Sequence, residues 1–138
     1  MTHTTHHPLD HLMQTANVWL AEIRDEFDTD DNDFVYRVTR AWLHALRDRL
    51  PVAESAHFAA QLPDVLRGVY YDGWRPSEVP VRCHPEQFVR DVTAAARITP
   101  AELTKVFGSV SDVMDRRLTN LDKVLGSVPA EIRVLLRP

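Results

Sequence analysis

The segment from Asp28 to Asn32 contains residue types that could bind calcium. The side-chain oxygens of Asp28, Asp30 and Asn32 alternate in the way that opens an EF-hand loop. An EF-hand loop also needs a glycine at its sixth position and a bidentate glutamate at its twelfth, and these positions are Asp33 and Thr39 here. We therefore expect no metal, and we interpret the segment as a helix break that supplies side-chain caps to the next helix.

Four histidines near the amino terminus could bind a transition metal. They are His3, His6, His7 and His11. The spacing of His7 and His11 would bring both rings close to one face of a helix, but Pro8 disturbs the turn between them. We expect a frayed polar terminus rather than a physiological metal site.

The neighbouring residues Cys83 and His84 could be a nucleophile and its base. A catalytic thiolate needs a base across from it, whereas neighbours on an extended backbone usually point apart. The pair also lies in a proline-rich segment rather than at the start of a helix. We expect Cys83 to be a partly buried linker residue without a catalytic or redox role.

A basic stripe follows helical spacing in the second predicted helix. Its members are Arg37, Arg40, His44 and Arg47. We expect the stripe to lie opposite the apolar face, where it could bind phosphates or an acidic protein, or could pair with nearby acids as a solvated face. No recognised nucleic-acid-binding module accompanies it, so we do not expect nucleic acid as the partner. Arg37, Arg40 and Arg47 are the candidate residues for an anionic partner.

Three aromatic residues, Tyr70, Tyr71 and Trp74, lie near the middle of the chain. Large rings at the junction of two halves usually hold the halves together, and this is the role we expect. A small-molecule pocket or a partner groove at the same junction is the alternative.

The composition indicates a soluble protein without enzymatic machinery. The chain has 138 residues, of which 44% are hydrophobic, and its net charge of −4 argues against a general polyanion binder. It contains one cysteine, and its start does not resemble a secretory signal, so we expect a cytoplasmic protein that does not span a membrane. Sequence motifs of phosphate loops, zinc proteases and serine hydrolases are missing, so we expect no enzyme activity and no cofactor.

Apolar residues recur at helical intervals along the chain and predict an all-α fold. The first helix has an apolar stripe formed by Leu9, Leu12, Met13, Ala16, Leu20, Ile23 and Phe27. Four helices are predicted before the proline-rich connector, at about residues 9–27, 33–50, 52–61 and 63–71. After the connector, the sequence Thr99-Pro100-Ala101-Glu102 predicts a capping box at a helix start.

The second half of the chain repeats the pattern of the first. The segment from Gln61 to Arg67 recurs as the segment from Ser127 to Arg133, each time after three helix-like segments. We therefore predict one domain, residues 1–138, folded as a compact helical bundle of two pseudo-repeats with about four helices each. The first repeat spans 9–71, the connector 72–85 and the second repeat 86–138.

The most distinctive stretch runs from Leu66-Arg67-Gly68 to Tyr71-Asp72-Gly73-Trp74. It is preceded by Gln61-Leu62-Pro63 and followed by Pro76 and Pro80. In these features the chain resembles the bacterial domain-of-unknown-function 2267 family. The resemblance implies a small all-helical protein built from a tandem repeat. It implies no established activity and therefore no catalytic residues.

A well-specified helical body without visible chemistry favours an interaction or adaptor module. The partner would be an unknown protein or a second copy of the chain, which would bind an apolar surface left exposed after the halves dock. Two alternatives remain: an anionic partner at the basic stripe, and a small ligand at the aromatic junction.

Overall fold

Eight α-helices and no β-strand form the regular structure of residues 7–138, the part of the chain that the computed structural model describes. The helices are α1 (Asp10–Phe27), α2 (Asn32–Arg49), α3 (Val52–Ala59), α4 (Asp64–Tyr71), α5 (Pro85–Ala96), α6 (Leu103–Arg117), α7 (Leu121–Leu125) and α8 (Ala130–Leu136). The all-α prediction is confirmed. None of these helices combines the length and the apolar character that crossing a bilayer requires.

Helix α2 lies at the centre of the fold. It contacts α1 and α4 from the first half of the chain and α5, α6 and α8 from the second. Apolar residues that recur at helical spacing along it are buried: they are Val35, Val38, Trp42, Ala45, Leu46 and, just past its end, Leu50. A helix that is enclosed on most sides loses its polar outer face, so its polar side chains must find partners inside the protein.

Helix α1 is apolar along its whole inner stripe but is covered only in its later turns. Ala16, Trp19 and Ile23 are buried, whereas Leu9 and Met13 are 56% and 50% exposed. The predicted apolar stripe of α1 is therefore not buried along its whole length. Burial along α1 begins only at Ala16, so the first turns of this helix remain at the surface.

Local capping signals in the sequence correctly predict two helix starts. The Asp31 side chain accepts a hydrogen bond from the Phe34 amide and caps α2. At the second site, Glu102 accepts hydrogen bonds from the Thr99 amide at 2.8 Å and from its hydroxyl at 2.9 Å. These two hydrogen bonds lower the pKa of Glu102. A 3-10 turn, Pro100–Glu102, then leads into α6.

Local backbone features recur between the two halves. Helices α1 and α5 both end in a left-handed residue, Asp28 with φ 52° and Arg97 with φ 56°. The Arg67 guanidinium donates back to the Leu62 carbonyl at 2.8 Å, and Arg133 donates to the Val128 carbonyl at 3.0 Å. These features support the predicted repeat, but the two-repeat arrangement itself stays a prediction.

The connector between α4 and α5 is tied to the body at both ends. The Trp74 ring packs against Tyr71, with 5.1 Å between ring centroids, and the Val81 amide donates to the Asp48 carbonyl at 2.7 Å. Within the described residues, however, the buried indole nitrogen of Trp74 has no hydrogen-bond partner. An unsatisfied buried donor costs stability, so Trp74 contributes through its ring rather than its N–H group.

Trp42 has the opposite hydrogen-bonding state, which permits a matched test. Its buried indole nitrogen donates to the Leu136 carbonyl at 2.8 Å and joins α2 to the end of α8. We predict that Trp42→Phe lowers the free energy of unfolding by about 1–3 kcal/mol more than Trp74→Phe does, because only the first change leaves a buried carbonyl without its donor. Urea denaturation measures both losses. Equal losses for the two variants would contradict this account of Trp42.

Candidate functional site

The basic stripe of α2 is largely an internal structure. Arg47 is only 6% exposed, and its Nη1 atom donates to the Tyr70 carbonyl at 3.1 Å and to the Asp72 carbonyl at 2.6 Å. Its Nε atom donates to Asp48 at 2.9 Å. The expectation that the stripe faces solvent is therefore wrong for Arg47, because the carboxyl end of α4 lies against this side of α2.

The other members of the stripe also bind helix ends. The His44 ring lies 2.7 Å from the Val69 carbonyl, and the Arg37 Nε atom donates to the Ala96 carbonyl at 2.7 Å. Because a carbonyl oxygen only accepts hydrogen bonds, His44 must carry its proton on Nε2. The Arg40 side chain is 40% exposed and pairs with Asp72 at 2.9 Å, close to the end of α4.

These contacts satisfy carbonyl groups that a helix leaves without partners in its last turn. In α4, the last four carbonyls receive hydrogen bonds from the Asp72 amide, His44, Arg47 and the Trp74 amide. Cationic side chains at a helix carboxyl end also interact favourably with the helix dipole. Binding of an anionic partner at Arg37, Arg40 and Arg47 stays a prediction, and Arg40 offers the exposed charge that Arg47 lacks.

The aromatic group joins α3, α4 and the connector. Tyr70 is fully buried, its hydroxyl lies 2.7 Å from the Ser55 hydroxyl, and burial raises the pKa of Tyr70. The ring centroids of Tyr70 lie 5.3 Å from those of both Phe58 and Tyr71, and Trp74 follows Tyr71. These ring contacts lie within the first half of the chain, and the role of this group in holding the two halves together stays a prediction. A ligand site at this group stays a prediction.

The residues singled out for metal binding lie apart or have other partners. The Asn32 side chain accepts a hydrogen bond from Arg24 at 3.1 Å. His7 precedes the first turn of α1, so it does not share a helical face with His11 as predicted, while His3 and His6 lie outside the described residues. Within residues 7–138, no three His, Cys, Asp or Glu side chains are placed together where they could hold a metal ion.

Cys83 is half-buried, as predicted, but its main contact was missed. Its Sγ atom accepts a hydrogen bond from Arg49 Nη2 at 3.3 Å. Arg49 was not among the predicted site residues, although its spacing from Trp42 and Leu46 follows the inward face of α2. That spacing was the available signal for a buried arginine.

A surface groove lies between α3 and α7, which come from different halves of the chain. It has a volume of about 570 Å³. One wall carries Glu54, His57 and Gln61, and the other carries Asn120, Lys123, Val124 and Ser127. Phe58, Leu121 and Leu125 lie in the buried core behind these walls, so rigid structure supports the groove.

The end of the groove is closed by a hydrogen bond between the halves. The Thr119 amide donates to the Gln61 side-chain oxygen at 2.8 Å. Asn120, the residue before α7, has φ 63° and makes no side-chain capping bond to that helix. Sequence reasoning missed the groove because its walls are distant in sequence and carry no recognisable motif.

The helices and their polar caps define a small all-α protein with one central helix. The chain belongs to the family described as "Uncharacterized conserved protein (DUF2267)", whose model matches residues 16–135. This match confirms the resemblance seen in the sequence. A comparison with curated proteins finds no significant match. The family description names no activity, so functional inference depends on the geometry described above.

The internal role of Arg47 predicts a large difference between neighbouring members of the stripe. Arg47→Met leaves the buried Tyr70 carbonyl and the partly buried Asp72 carbonyl without this donor, and we expect it to lower the free energy of unfolding by about 2–4 kcal/mol. Arg40→Met removes an exposed ion pair and should cost about 1 kcal/mol or less. Chemical denaturation of the two variants compares them directly. Similar losses would show that Arg47 is not the buried clamp described here.

The burial of His44 predicts a dependence of stability on pH. Burial lowers the pKa of His44 from its ordinary value of 6.5, and the positive charges of Arg47 and Arg40 act in the same direction. The unfolded chain therefore binds a proton near that pH while the folded chain does not. It follows that the free energy of unfolding falls as the pH is lowered below 6.5 and through the pKa that His44 has in the folded protein.

We predict that His44→Gln removes this part of the acid sensitivity, because its amide can still donate to Val69 but does not titrate. Denaturant unfolding at about pH 7.5 and about pH 5.5 measures the effect. His57→Gln, a change at an exposed histidine, is the control and should retain the wild-type pH dependence. If His44→Gln also retains it, His44 is not the group responsible.

Proposed function

We propose that this protein is a non-catalytic interaction module that binds a polypeptide segment of a partner protein in the groove between α3 and α7. The observation that carries the proposal is the groove itself. Its volume of about 570 Å³ lies in the range of sites that enclose ligands, and it remains open to solvent along one side. An extended segment could therefore lie along it.

The lining residues favour a polypeptide as the occupant. Gln61, Asn120 and Ser127 offer both donors and acceptors, which suit the amide and carbonyl groups of an extended backbone. Glu54 lies on one wall and Lys123 on the other, so charged side chains of the segment would have partners on either side. Val124 supplies an apolar contact between them.

The same residues support binding rather than catalysis. A general base is normally oriented by a hydrogen bond to its partner. In the described part of the chain, Glu54, His57 and Lys123 make no hydrogen bonds with one another. The groove therefore presents separate recognition groups, which fits an adaptor better than an active site.

Photo-crosslinking in cells of the native host tests this proposal. A crosslinking amino acid at His57 should form a covalent adduct with a defined partner protein. The same amino acid at Tyr36, which is 45% exposed in α2 and lines a different cavity, is the control and should not form that adduct. Lys123→Glu should lower the yield of the adduct at His57, because it reverses the charge of one wall.

Two results would count against the proposal. If no adduct forms at His57, or if both positions capture the same proteins equally, the groove is not the binding surface. An adduct with a second copy of the chain would indicate a homo-oligomer instead of a different partner protein. That result would also contradict the proposal.

A further inference from the structure

The guanidinium group of Arg49 is buried without a negatively charged partner. Arg49 is 7% exposed, and within residues 7–138 no carboxylate lies within salt-bridge distance of it. Its Nε atom is buried and has no hydrogen-bond partner in the described structure. Its charged group lies over the Phe88 ring, 5.1 Å from the centroid, which accounts for only part of the lost hydration.

A buried arginine of this kind would be stabilised by an anion. The guanidinium group cannot lose its proton in a protein, so it cannot avoid the cost of burial by becoming neutral. The hydrogen-bond acceptor that the structure gives it is Cys83 Sγ, at 3.3 Å from Nη2. A neutral thiol is a weak acceptor and supplies no charge. An anionic group at the position of the cysteine side chain would supply the charge that Arg49 lacks.

Cys83 is also reachable from solvent. It is half-buried and lines a surface cavity of about 400 Å³ that also includes Arg82, His84 and Glu131. The cavity is large enough to admit a small peroxide. A charged arginine at the sulfur and an open cavity in front of it are the features of an oxidation-sensitive cysteine.

We propose that Cys83 is an oxidation site for hydroperoxides and that Arg49 binds the anionic product. The Cys83 thiolate attacks the terminal oxygen of the hydroperoxide, so that an S–O bond forms and the O–O bond breaks. Sulfur is oxidised to a sulfenic acid, and the peroxide is reduced and leaves as an alcohol or water after it takes a proton from solvent. A second equivalent of hydroperoxide converts the sulfenate to a sulfinate and releases another alcohol or water.

The product has a structural consequence at the connector. A sulfenate or sulfinate oxygen is a much stronger acceptor than a thiol and can accept hydrogen bonds from the Arg49 guanidinium. Arg49 belongs to α2, and the connector residue Val81 is already bonded to the Asp48 carbonyl of the same helix. Oxidation therefore fastens the connector more firmly to the central helix.

Reaction with hydrogen peroxide tests the proposal on the full chain. Cys83 is the chain's only cysteine, so a sulfenic-acid trapping reagent and mass spectrometry report on this position alone. We expect Cys83 to react faster than free N-acetylcysteine at the same pH. Arg49→Gln should slow the reaction by about tenfold, the effect of losing a hydrogen bond to a charged group. Arg75→Gln, at an exposed arginine of the same connector that does not line this cavity, is the matched control and should leave the rate within about twofold of wild type.

A pair of substitutions tests the same site without peroxide. Cys83→Asp places a carboxylate where the sulfinate oxygens would lie, and Cys83→Asn has the same shape without the charge. We expect the Asp variant to unfold at a temperature about 3 °C or more above that of the Asn variant. The difference should disappear when Arg49 is replaced by Gln.

Either of two results overturns the proposal. One is a rate for Cys83 no greater than that of N-acetylcysteine, and the other is an Asp variant no more stable than the Asn variant. Both comparisons use proteins that retain Arg49, so they stay decisive even if Arg49→Gln does not fold.

Discussion

The structure depends on donors that one enclosed helix supplies to the carboxyl ends of its neighbours. Helix α2 sends Trp42 to the end of α8, His44 and Arg47 to the end of α4, and Arg37 to the end of α5. Buried carbonyls without donors would cost free energy at each of these ends. Because α2 lies at the centre, it must carry the polar side chains that donate hydrogen bonds to the helix ends around it.

This constraint separates structural polar groups from those available for function. Arg47 and His44 are bonded to backbone carbonyls of α4, and Arg67 and Arg133 are bonded to carbonyls of the turns that precede α4 and α8. Charge on this protein is therefore a poor guide to a binding surface. The groove between α3 and α7 and the cavity at Cys83 differ, because within residues 7–138 Glu54, His57 and Lys123 make no side-chain hydrogen bonds and the Arg49 Nε atom has no partner.

Sequence patterns predicted the helices well because periodicity and capping are local properties. The apolar face of α2 and the Thr99 capping box follow directly from neighbouring residues. The prediction that the basic stripe faces solvent was wrong for Arg47. Helical spacing shows which residues share a face, but it does not show whether another helix covers that face. Arg49 at Cys83 and the groove at Gln61 depend on residues brought together from distant parts of the chain, and no local signal encodes such contacts.

Native-state hydrogen exchange of backbone amides tests the central role of α2 most directly. If α2 holds the carboxyl ends of α4, α5 and α8, its amides between Val38 and Leu46 can exchange only when the whole protein unfolds. Their exchange free energy should then equal the free energy of unfolding measured with denaturant, and it should be at least as high as that of any amide in α1 or α6. Amides in α2 that exchange through a smaller opening, while those of α6 remain protected, would contradict the account.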